Sequence, residues 1–386
     1  MAQGKDDSNQ DRFYADFRQL RENSPVSREG DEGPWRVALY DDVRAVLRDP
    51  DSFSSDVSLR PREPGASPSM LFSDPPIHNH LRKLISRAFS PRAIADQRDM
   101  ITRRCEQLVS HMVQQEQPDL IYELASPLPV TVIADMLGVT DGNMREFKRW
   151  SDLIFGNIGE VLLGEPDEEV IKASEEMNGY FQSRIDGLRE RPEQHLLSRL
   201  VHVETDEGHL TDSELLMFCS LLLIAGNETT TGLISACVRI FHEHPWTFKK
   251  LKKDPTLIES FVEETLRFYA PFQMTIRRAT KDVEVAGAKI SEGELVLPLI
   301  ASANRDENIF ADADQFIIDR DPNPHLAFGS GIHNCIGAPL ARLEGQIAVG
   351  AMIEHLDEIS LVEYDTELLS RFGGPGKLLI DIQRAN

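Results

Sequence analysis

The sequence has no CxxC pair, and its four cysteines lie far apart along the chain: Cys105, Cys219, Cys237 and Cys335. This spacing excludes a disulfide framework and a recognisable zinc site, and it is typical of a protein in a reducing compartment. Basic residues are also few. The 41 lysines and arginines are outnumbered by 64 aspartates and glutamates, and the net charge of −23 argues against general binding to nucleic acid or anionic membranes.

Long apolar runs are missing as well. The first 30 residues contain none, so we expect neither a signal peptide nor a membrane anchor there. The longest apolar stretch, residues 215–226, is too short to span a bilayer and predicts a buried helix. Internal repeats and long Gly/Ser-rich or proline-rich linkers are absent too. We therefore expect a cytoplasmic protein in which residues 1–386 form a single domain, with residues 1–11 as a disordered tail.

The pattern of elements predicts a mainly α fold with a smaller β region. Thr211 and Glu214 form a capping box, and apolar periodicity then continues to His244. The resulting helix has about 33 residues and a length of about 50 Å, enough to cross a whole domain. Strands are predicted at residues 283–287 and 294–300.

Two shorter helices have recognisable starts. Asp41 and Asp42 are suited to cap a short helix, and Ser90 followed by Pro91 is a cap with a first-turn proline. We expect the second of these helices to continue to about Gln115.

Cys335 differs from the other cysteines because it lies in a glycine-rich segment, HLAFGSGIHNCIGAPLARLE, residues 325–344. The glycines around it are Gly329, Gly331 and Gly337. Glycine permits backbone conformations closed to other residues, and backbone N–H groups with the N-terminus of the following helix would stabilise a thiolate. Such a thiolate is a nucleophile or a metal ligand. His333 is a candidate base for a nucleophile but has no orienting partner in the sequence, whereas haem needs one axial ligand from the protein.

The pattern Phe328-x-x-Gly331-x-His333-x-Cys335-x-Gly337 resembles the haem-ligand signature of the cytochrome P450 family. The flanking HLAF and LAR segments resemble its soluble bacterial branch. The resemblance implies a P450-type fold with a long central helix over the haem, haem b as cofactor, and Cys335 as axial ligand of the iron. Phe328, Gly329, His333 and Gly337 would then help to bind the cofactor.

The long helix contains Ala225-Gly226-Asn227-Glu228-Thr229, which is similar to the oxygen-binding motif of the family. By this resemblance, Ala225 and Gly226 adjoin the cofactor, Thr229 hydrogen-bonds dioxygen, and Glu228 relays protons with water. A helical glycine costs about 1 kcal/mol relative to alanine, and a threonine hydroxyl can bond back to the helix and distort it. In the family the helix has an opened turn here that faces the iron, and the resemblance implies the same for this chain.

The resemblance also assigns supporting residues. Glu264-x-x-Arg267 lies on a predicted helix and, with Arg320, would form a scaffold under the cysteine loop. Four donors match positions that bind the haem propionates: His78, Arg82, Arg277 and His333. His80 departs from the family, which commonly has arginine there.

Oxygen activation at haem needs two electrons per turnover. The sequence has no Gly-x-Gly-x-x-Gly fingerprint and no flavin domain, so we expect these electrons to come from a separate protein. The resemblance implies a ferredoxin or flavodoxin with an NAD(P)H-dependent reductase. Basic residues that could dock it are Arg82, Lys83, Arg87, Arg103, Arg104 and Arg342. The implied substrate pocket includes the 54–72 loop, Leu222, Leu223, Ala225, Phe272, Met274, Ile276 and Phe372, which suits a small hydrophobic organic molecule.

Several functions remain open from the sequence. The first is a haem-thiolate monooxygenase that inserts one atom of O2 into a C–H or C=C bond. The alternatives are a haem-thiolate peroxygenase that uses hydrogen peroxide, a haem-binding protein without catalysis, and, more distantly, a cysteine hydrolase. The presence of both Glu228 and Thr229 favours the monooxygenase, because peroxygenases of the family typically lack this acid–alcohol pair.

Overall fold

A computed structural model describes residues 7–28, 30, 32–57, 69–86, 89–139, 144–157, 166–204, 208–364 and 376–385. Most of the predicted pocket loop (58–68), Arg87 and Phe372 lie outside these described residues. Residues 7–11 of the predicted tail are helical. The fold class is confirmed: the described chain is mainly helical with small β-sheets.

The α-helices of the described chain are α1 (Asp7–Asn23), α2 (Tyr40–Arg48), α3 (Ile77–Ser86), α4 (Pro91–Ala95), α5 (Arg98–Met112), α6 (Pro127–Leu137), α7 (Met144–Gly156), α8 (Glu168–Glu190), α9 (Leu196–Val201), α10 (Asp212–Glu243), α11 (Pro245–Lys253), α12 (Ile258–Phe268), α13 (Ile300–Ala303) and α14 (Ala338–His355). The strands are β1 (Val26–Arg28), β2 (Trp35–Val37), β3 (Phe53–Ser54), β4 (Arg277–Ala279), β5 (Val283–Val285), β6 (Ala288–Ile290), β7 (Leu295–Pro298), β8 (Leu356–Tyr364) and β9 (Leu378–Arg384).

Contacts divide the chain into two compact units, each discontinuous in sequence. The first comprises residues 1–55, 105–127 and 228–386, and the second comprises residues 56–104 and 128–227. The prediction of a single domain stays a prediction.

The first unit contains a five-stranded sheet in the order β1-β2-β7-β4-β3. Strands β2 and β7 run parallel, and the other neighbours are antiparallel. Helix α2 buries Val43, Val46 and Leu47 on one face, and these side chains join sheet residues such as Val37 and Val296 in one hydrophobic core. The predicted strands at 283–287 and 294–300 are confirmed as β5 and β7. They are shorter than the predicted ranges.

The second unit is helical. Helix α7 packs on α8, and the fully buried rings of Phe147 and Phe181 meet edge to face with centroids 6.1 Å apart. Such a pair contributes about 0.5–1.5 kcal/mol beyond its burial.

Helix α10 confirms the predicted long helix and its capping box. Thr211 N–H donates to the Glu214 carboxylate (2.8 Å), and Glu214 N–H donates to the Thr211 hydroxyl (3.3 Å). By length and composition the helix could cross a membrane, but 65% of its apolar stretch is buried inside the protein, as in the core helix of a soluble protein. It ends before Pro245, as predicted.

Two predicted helix boundaries were wrong. Ser90 caps a helix as expected, through the Ala93 N–H, but this helix ends at Ala95 and α5 begins separately at Arg98. The chain tightens between them because Gln97 N–H bonds the carbonyl of Ile94, three residues back. Helix α2 begins at Tyr40, so Asp41 and Asp42 lie in its first turn rather than at its cap.

Candidate functional site

The cysteine loop is closed by backbone hydrogen bonds. Cys335 N–H donates to the carbonyl of Phe328 (2.9 Å), and Asn334 N–H donates to the carbonyl of Gly331 (3.1 Å). A single 3₁₀ turn, Gly331–His333, lies between Phe328 and Cys335, and α14 begins soon after the cysteine. The sulfur is thereby held at the entrance to a helix N-terminus, where the helix dipole favours negative charge.

Two glycines make this loop possible. Gly329 and Gly331 have φ of 71° and 73°, a left-handed conformation that favours glycine. A Cβ on Gly331 would also lie 2.5 Å from the carbonyl oxygen of Leu47. Gly337 was expected to need a special backbone conformation too, but its φ of −81° is open to any residue. A Cβ on Gly337 would lie 3.8 Å from the Cys335 sulfur, which is an ordinary contact. Neither the backbone conformation nor a steric clash therefore requires glycine at this position.

Cys335 is the one exposed cysteine of the four. Cys105, Cys219 and Cys237 are fully buried in α5 and α10, and burial raises the pKa of Cys105 and of Cys237 to about 12. These three thiols remain protonated at neutral pH. An accessible sulfur on a rigid, backbone-bonded loop is what an axial ligand requires.

A buried ion pair supports the loop from α12. Arg267 donates through Nε and Nη2 to both Glu264 oxygens (2.8 Å each), and neither side chain is exposed. Arg320 Nε also donates to Glu264, at 3.1 Å from each carboxylate oxygen. The structure thus brings together the three predicted scaffold residues.

Arg267 also ties α12 to the chain that precedes the cysteine loop. Its Nη1 donates to the carbonyls of Asn304 (2.9 Å) and Ala313 (2.8 Å). The side-chain oxygen of Asn304 in turn accepts the N–H of Leu326 at 2.6 Å. One guanidinium therefore fixes the backbone up to two residues before Phe328.

The predicted oxygen motif lies on α10, which is helical without a break through these residues. The expected opened turn is therefore absent, and neighbouring hydroxyls bond elsewhere: Thr231 donates to the Ala125 carbonyl at 3.1 Å. A Cβ on Gly226 would lie 3.0 Å from Cδ1 of Ile133, a tight contact from which this side-chain end would have to shift. Ala225 is exposed, whereas Glu228 and Thr229 are half-buried.

The predicted propionate donors lie in both units. In the second unit, His78 and Arg82 are one helical turn apart on α3, and His78 is buried. Burial lowers the pKa of His78, so this ring is neutral near pH 7 and donates one N–H. In the first unit, Arg277 is buried on β4, where it donates to the Ile276 carbonyl at 2.8 Å, and His333 is half-buried in the 3₁₀ turn.

The predicted pocket side chains differ in burial, and two of the predicted docking cations form ion pairs within the chain. Among the predicted pocket side chains, Leu222 and Leu223 are buried, while Phe272, Met274 and Ile276 are half-buried. Of the candidate docking cations, Arg104 forms an ion pair with Asp135, and Arg342 forms one with Glu263.

The sequence interpretation missed two features of α14. Glu344 is only 2% exposed, and Arg342 is bound to Glu263 of α12. The signal for Glu344 was available, because helical spacing places this acidic residue on the same face as Leu340, Ile347 and Ala348. The partner of Arg342 is distant in sequence and left no local pattern.

A solitary exposed cysteine, held by a backbone-bonded loop and supported by a buried ion-pair scaffold, is the arrangement of a haem-thiolate protein. The chain belongs to the cytochrome P450 family, whose family model matches residues 10–365. Its cofactor is haem b, as the sequence predicted. The donor set fits this cofactor: Cys335 is accessible for the iron, and Arg277 is a buried cation suited to a propionate.

Relatives agree with this assignment over nearly the whole chain. The putative cytochrome P450 YjiB of Bacillus subtilis is 38% identical over 92% of this chain and 90% of its own. The mycinamicin IV hydroxylase/epoxidase of Micromonospora griseorubida is 38% identical over 91% and 90%. The crystal structure of CYP109E1 from Bacillus megaterium in complex with testosterone is 37% identical, covers 95% and 98% of the two chains, and has a TM-score of 0.86. The P450-type fold is thereby confirmed.

Proposed function

We propose that this cytochrome P450 monooxygenase hydroxylates or epoxidises a small hydrophobic organic substrate, with electrons from a separate ferredoxin or flavodoxin and its NAD(P)H-dependent reductase. The overall reaction consumes the substrate R–H, O2, two electrons and two protons, and yields R–OH and water. The observation that carries the proposal is that the chain has both the backbone-bonded Cys335 loop and, on α10, the consecutive residues Glu228 and Thr229. Haem b, when bound, supplies the redox centre at which O2 is reduced.

Cys335 would hold the haem iron through its sulfur, and as a thiolate it would supply electron density to that iron. The backbone bond from Cys335 N–H to Phe328 and the scaffold of Glu264, Arg267 and Arg320 keep that sulfur fixed. A fixed sulfur needs no rearrangement during turnover, which is the advantage of a preorganised site.

Glu228 and Thr229 are proposed to handle protons. The Thr229 hydroxyl orients a proton towards the reacting oxygen, and the Glu228 carboxyl replenishes it from water. Their half-buried positions on α10 suit this role, because a relay must reach both the site and solvent. His78, Arg82, Arg277 and His333 are proposed to bind the propionates by charge-assisted hydrogen bonds.

The substrate is proposed to be hydrophobic. The predicted pocket residues in the described chain are largely apolar, and the CYP109E1 relative was crystallised with testosterone. We also propose a cytoplasmic location, in keeping with the net charge of −23 and with the burial of the apolar stretch of α10.

The first experiment is the visible spectrum of the reduced protein under carbon monoxide, for the wild type and for Cys335→Ser. The proposal requires a strongly red-shifted Soret band in the wild type and its loss in the variant. A screen of hydrophobic compounds for shifts in the ferric spectrum then identifies ligands. Substrate oxidation with hydrogen peroxide alone, unchanged in Thr229→Ala, would favour the peroxygenase alternative.

A further inference from the structure

Glu263 is adjacent to the scaffold residue Glu264 but binds a different set of partners. Its carboxylate accepts hydrogen bonds from Arg342 Nε (2.7 Å) and Nη2 (2.8 Å), and from His325 Nε2 (3.1 Å). The three residues come from α12, from the segment before the cysteine loop, and from α14. Glu263 therefore joins both sides of the loop to a helix that lies outside it.

The tautomer of His325 follows from its hydrogen bonds. Its Nδ1 accepts the N–H of Ala327 at 3.2 Å, so the ring proton of the neutral imidazole is on Nε2 and is donated to Glu263. Burial by itself raises the pKa of Glu263, but the hydrogen bonds from His325 and Arg342 outweigh it and lower the pKa to about 2. Glu263 is ionised throughout the neutral range.

Arg342, held by Glu263, also contacts the ring of Phe328. Its guanidinium carbon lies 4.4 Å from the centroid of the Phe328 ring, a cation–π contact. The Phe328 carbonyl accepts the N–H of Cys335 at 2.9 Å and the Asn334 side chain at 3.3 Å. A displacement of Phe328 would therefore alter the backbone bond at the cysteine.

We propose that Glu263 is a positioning residue of the thiolate site: it holds Arg342 over Phe328 and so fixes the Phe328 carbonyl that accepts the Cys335 N–H. The inference rests on the proposed function, because it concerns the same cysteine. It also reassigns Arg342, which the sequence placed among the partner-docking cations. Arg342 uses Nε and Nη2 to bind Glu263, and the face of its guanidinium lies over Phe328. Its main contacts are therefore made within the chain.

The test compares Glu263→Gln and Arg342→Lys with a control, Glu259→Gln, which removes an exposed carboxylate from the same helix. Arg342→Lys keeps the charge but loses the two-pronged hydrogen bond. The readouts are the reduction potential of the haem iron and the rate at which the reduced carbon monoxide complex loses its red-shifted band. We expect both test variants to shift the potential and to lose the band roughly tenfold faster, because each breaks the paired, charge-assisted hydrogen bonds between Glu263 and Arg342.

A double variant shows whether the two residues act together. Glu263→Gln with Arg342→Lys should cost little more than either change alone, since each breaks the same contact. Glu263→Asp should recover part of the wild-type behaviour. Variants that match Glu259→Gln in both readouts would overturn the inference while leaving the monooxygenase proposal intact, whereas a wild type without the red-shifted band would overturn the proposed function. If Arg342 only docks a partner, Arg342→Gln, which removes the charge, would leave the potential unchanged and weaken the salt dependence of reduction by that partner.

Discussion

The hydroxyl of Thr230 on α10 donates a hydrogen bond to the carboxyl group of Glu344 on α14. Both side chains are 2% exposed, and Oε1 of Glu344 has no hydrogen-bond partner among the described residues. Thr230 directly follows Thr229. The helix that starts beside the cysteine is thus bonded to the turn that carries the proposed proton relay.

The burial of Glu344 makes stability depend on pH. Burial penalises the charged form and raises the pKa of Glu344 from 4.5 to about 8, although the Thr230 hydrogen bond offsets part of the effect. Between these values the folded protein keeps a proton that the unfolded chain releases. The free energy of unfolding therefore falls by up to about 1.4 kcal/mol per pH unit as pH rises through this window, and levels off above pH 8.

Glu344→Gln should remove that decline, because glutamine stays neutral. We expect urea unfolding to show that, between pH 5.5 and pH 8, the free energy of unfolding of the wild type falls by about 3 kcal/mol more than that of the variant. Glu354→Gln, an exposed position on the same helix, is the control and should follow the wild type. Parallel pH profiles for Glu344→Gln and the wild type would contradict the neutral, buried carboxyl.

Thr229→Ala should uncouple electron use from product formation. Loss of the hydroxyl removes a positioned proton donor. The amount of product formed per NAD(P)H should therefore fall roughly 10²-fold, which is the low end of the effect of a general acid or base, and peroxide should be released instead. The measurement is product, NAD(P)H and peroxide in the same reaction. Ser220→Ala removes another hydroxyl from α10, one that bonds the Leu216 carbonyl, and should leave the ratio unchanged. Equal coupling in both variants would remove Thr229 from the relay.

Arg267→Lys should destabilise the protein by about 3–5 kcal/mol. Lysine cannot reproduce the paired bonds to Glu264 or the bonds to the Asn304 and Ala313 carbonyls, and it leaves buried polar groups without partners. Denaturant unfolding measures the loss. The surface pair of Lys252 with Asp357 is the comparison, and Asp357→Asn should cost less than about 1 kcal/mol.

Gly331→Ala should be far more damaging than Gly287→Ala, although both glycines have positive φ. The first would place a Cβ 2.5 Å from the Leu47 carbonyl, while the second has open space around it. We expect about 1 kcal/mol for Gly287→Ala and at least ~3 kcal/mol for Gly331→Ala, by thermal unfolding. Similar losses would mean that backbone conformation alone, rather than the close approach of α2, determines the requirement.

The local signals in the sequence were sufficient for much of the fold. The capping box at Thr211 predicted the start of α10, and Pro245 predicted its end, because both effects act within one helical turn. The break between α4 and α5 was missed, since the turn at Gln97 carries neither glycine nor proline. The opened turn near Thr229 was inferred from resemblance, whereas α10 continues as helix through these residues.

The family, the cofactor and the candidate ligand Cys335 could be predicted from the sequence, because the ligand, its glycines and its histidine all lie within one short segment. The folded structure was needed to show that Glu263 binds Arg342 and His325, that Glu344 is neutral beside Thr230, and that the pair of Glu264 and Arg267 is fully buried. These properties depend on desolvation and on contacts between residues distant in sequence. The partners of Glu263 leave no local pattern along the chain, and the apolar spacing around Glu344 indicates its burial but not its contact with Thr230.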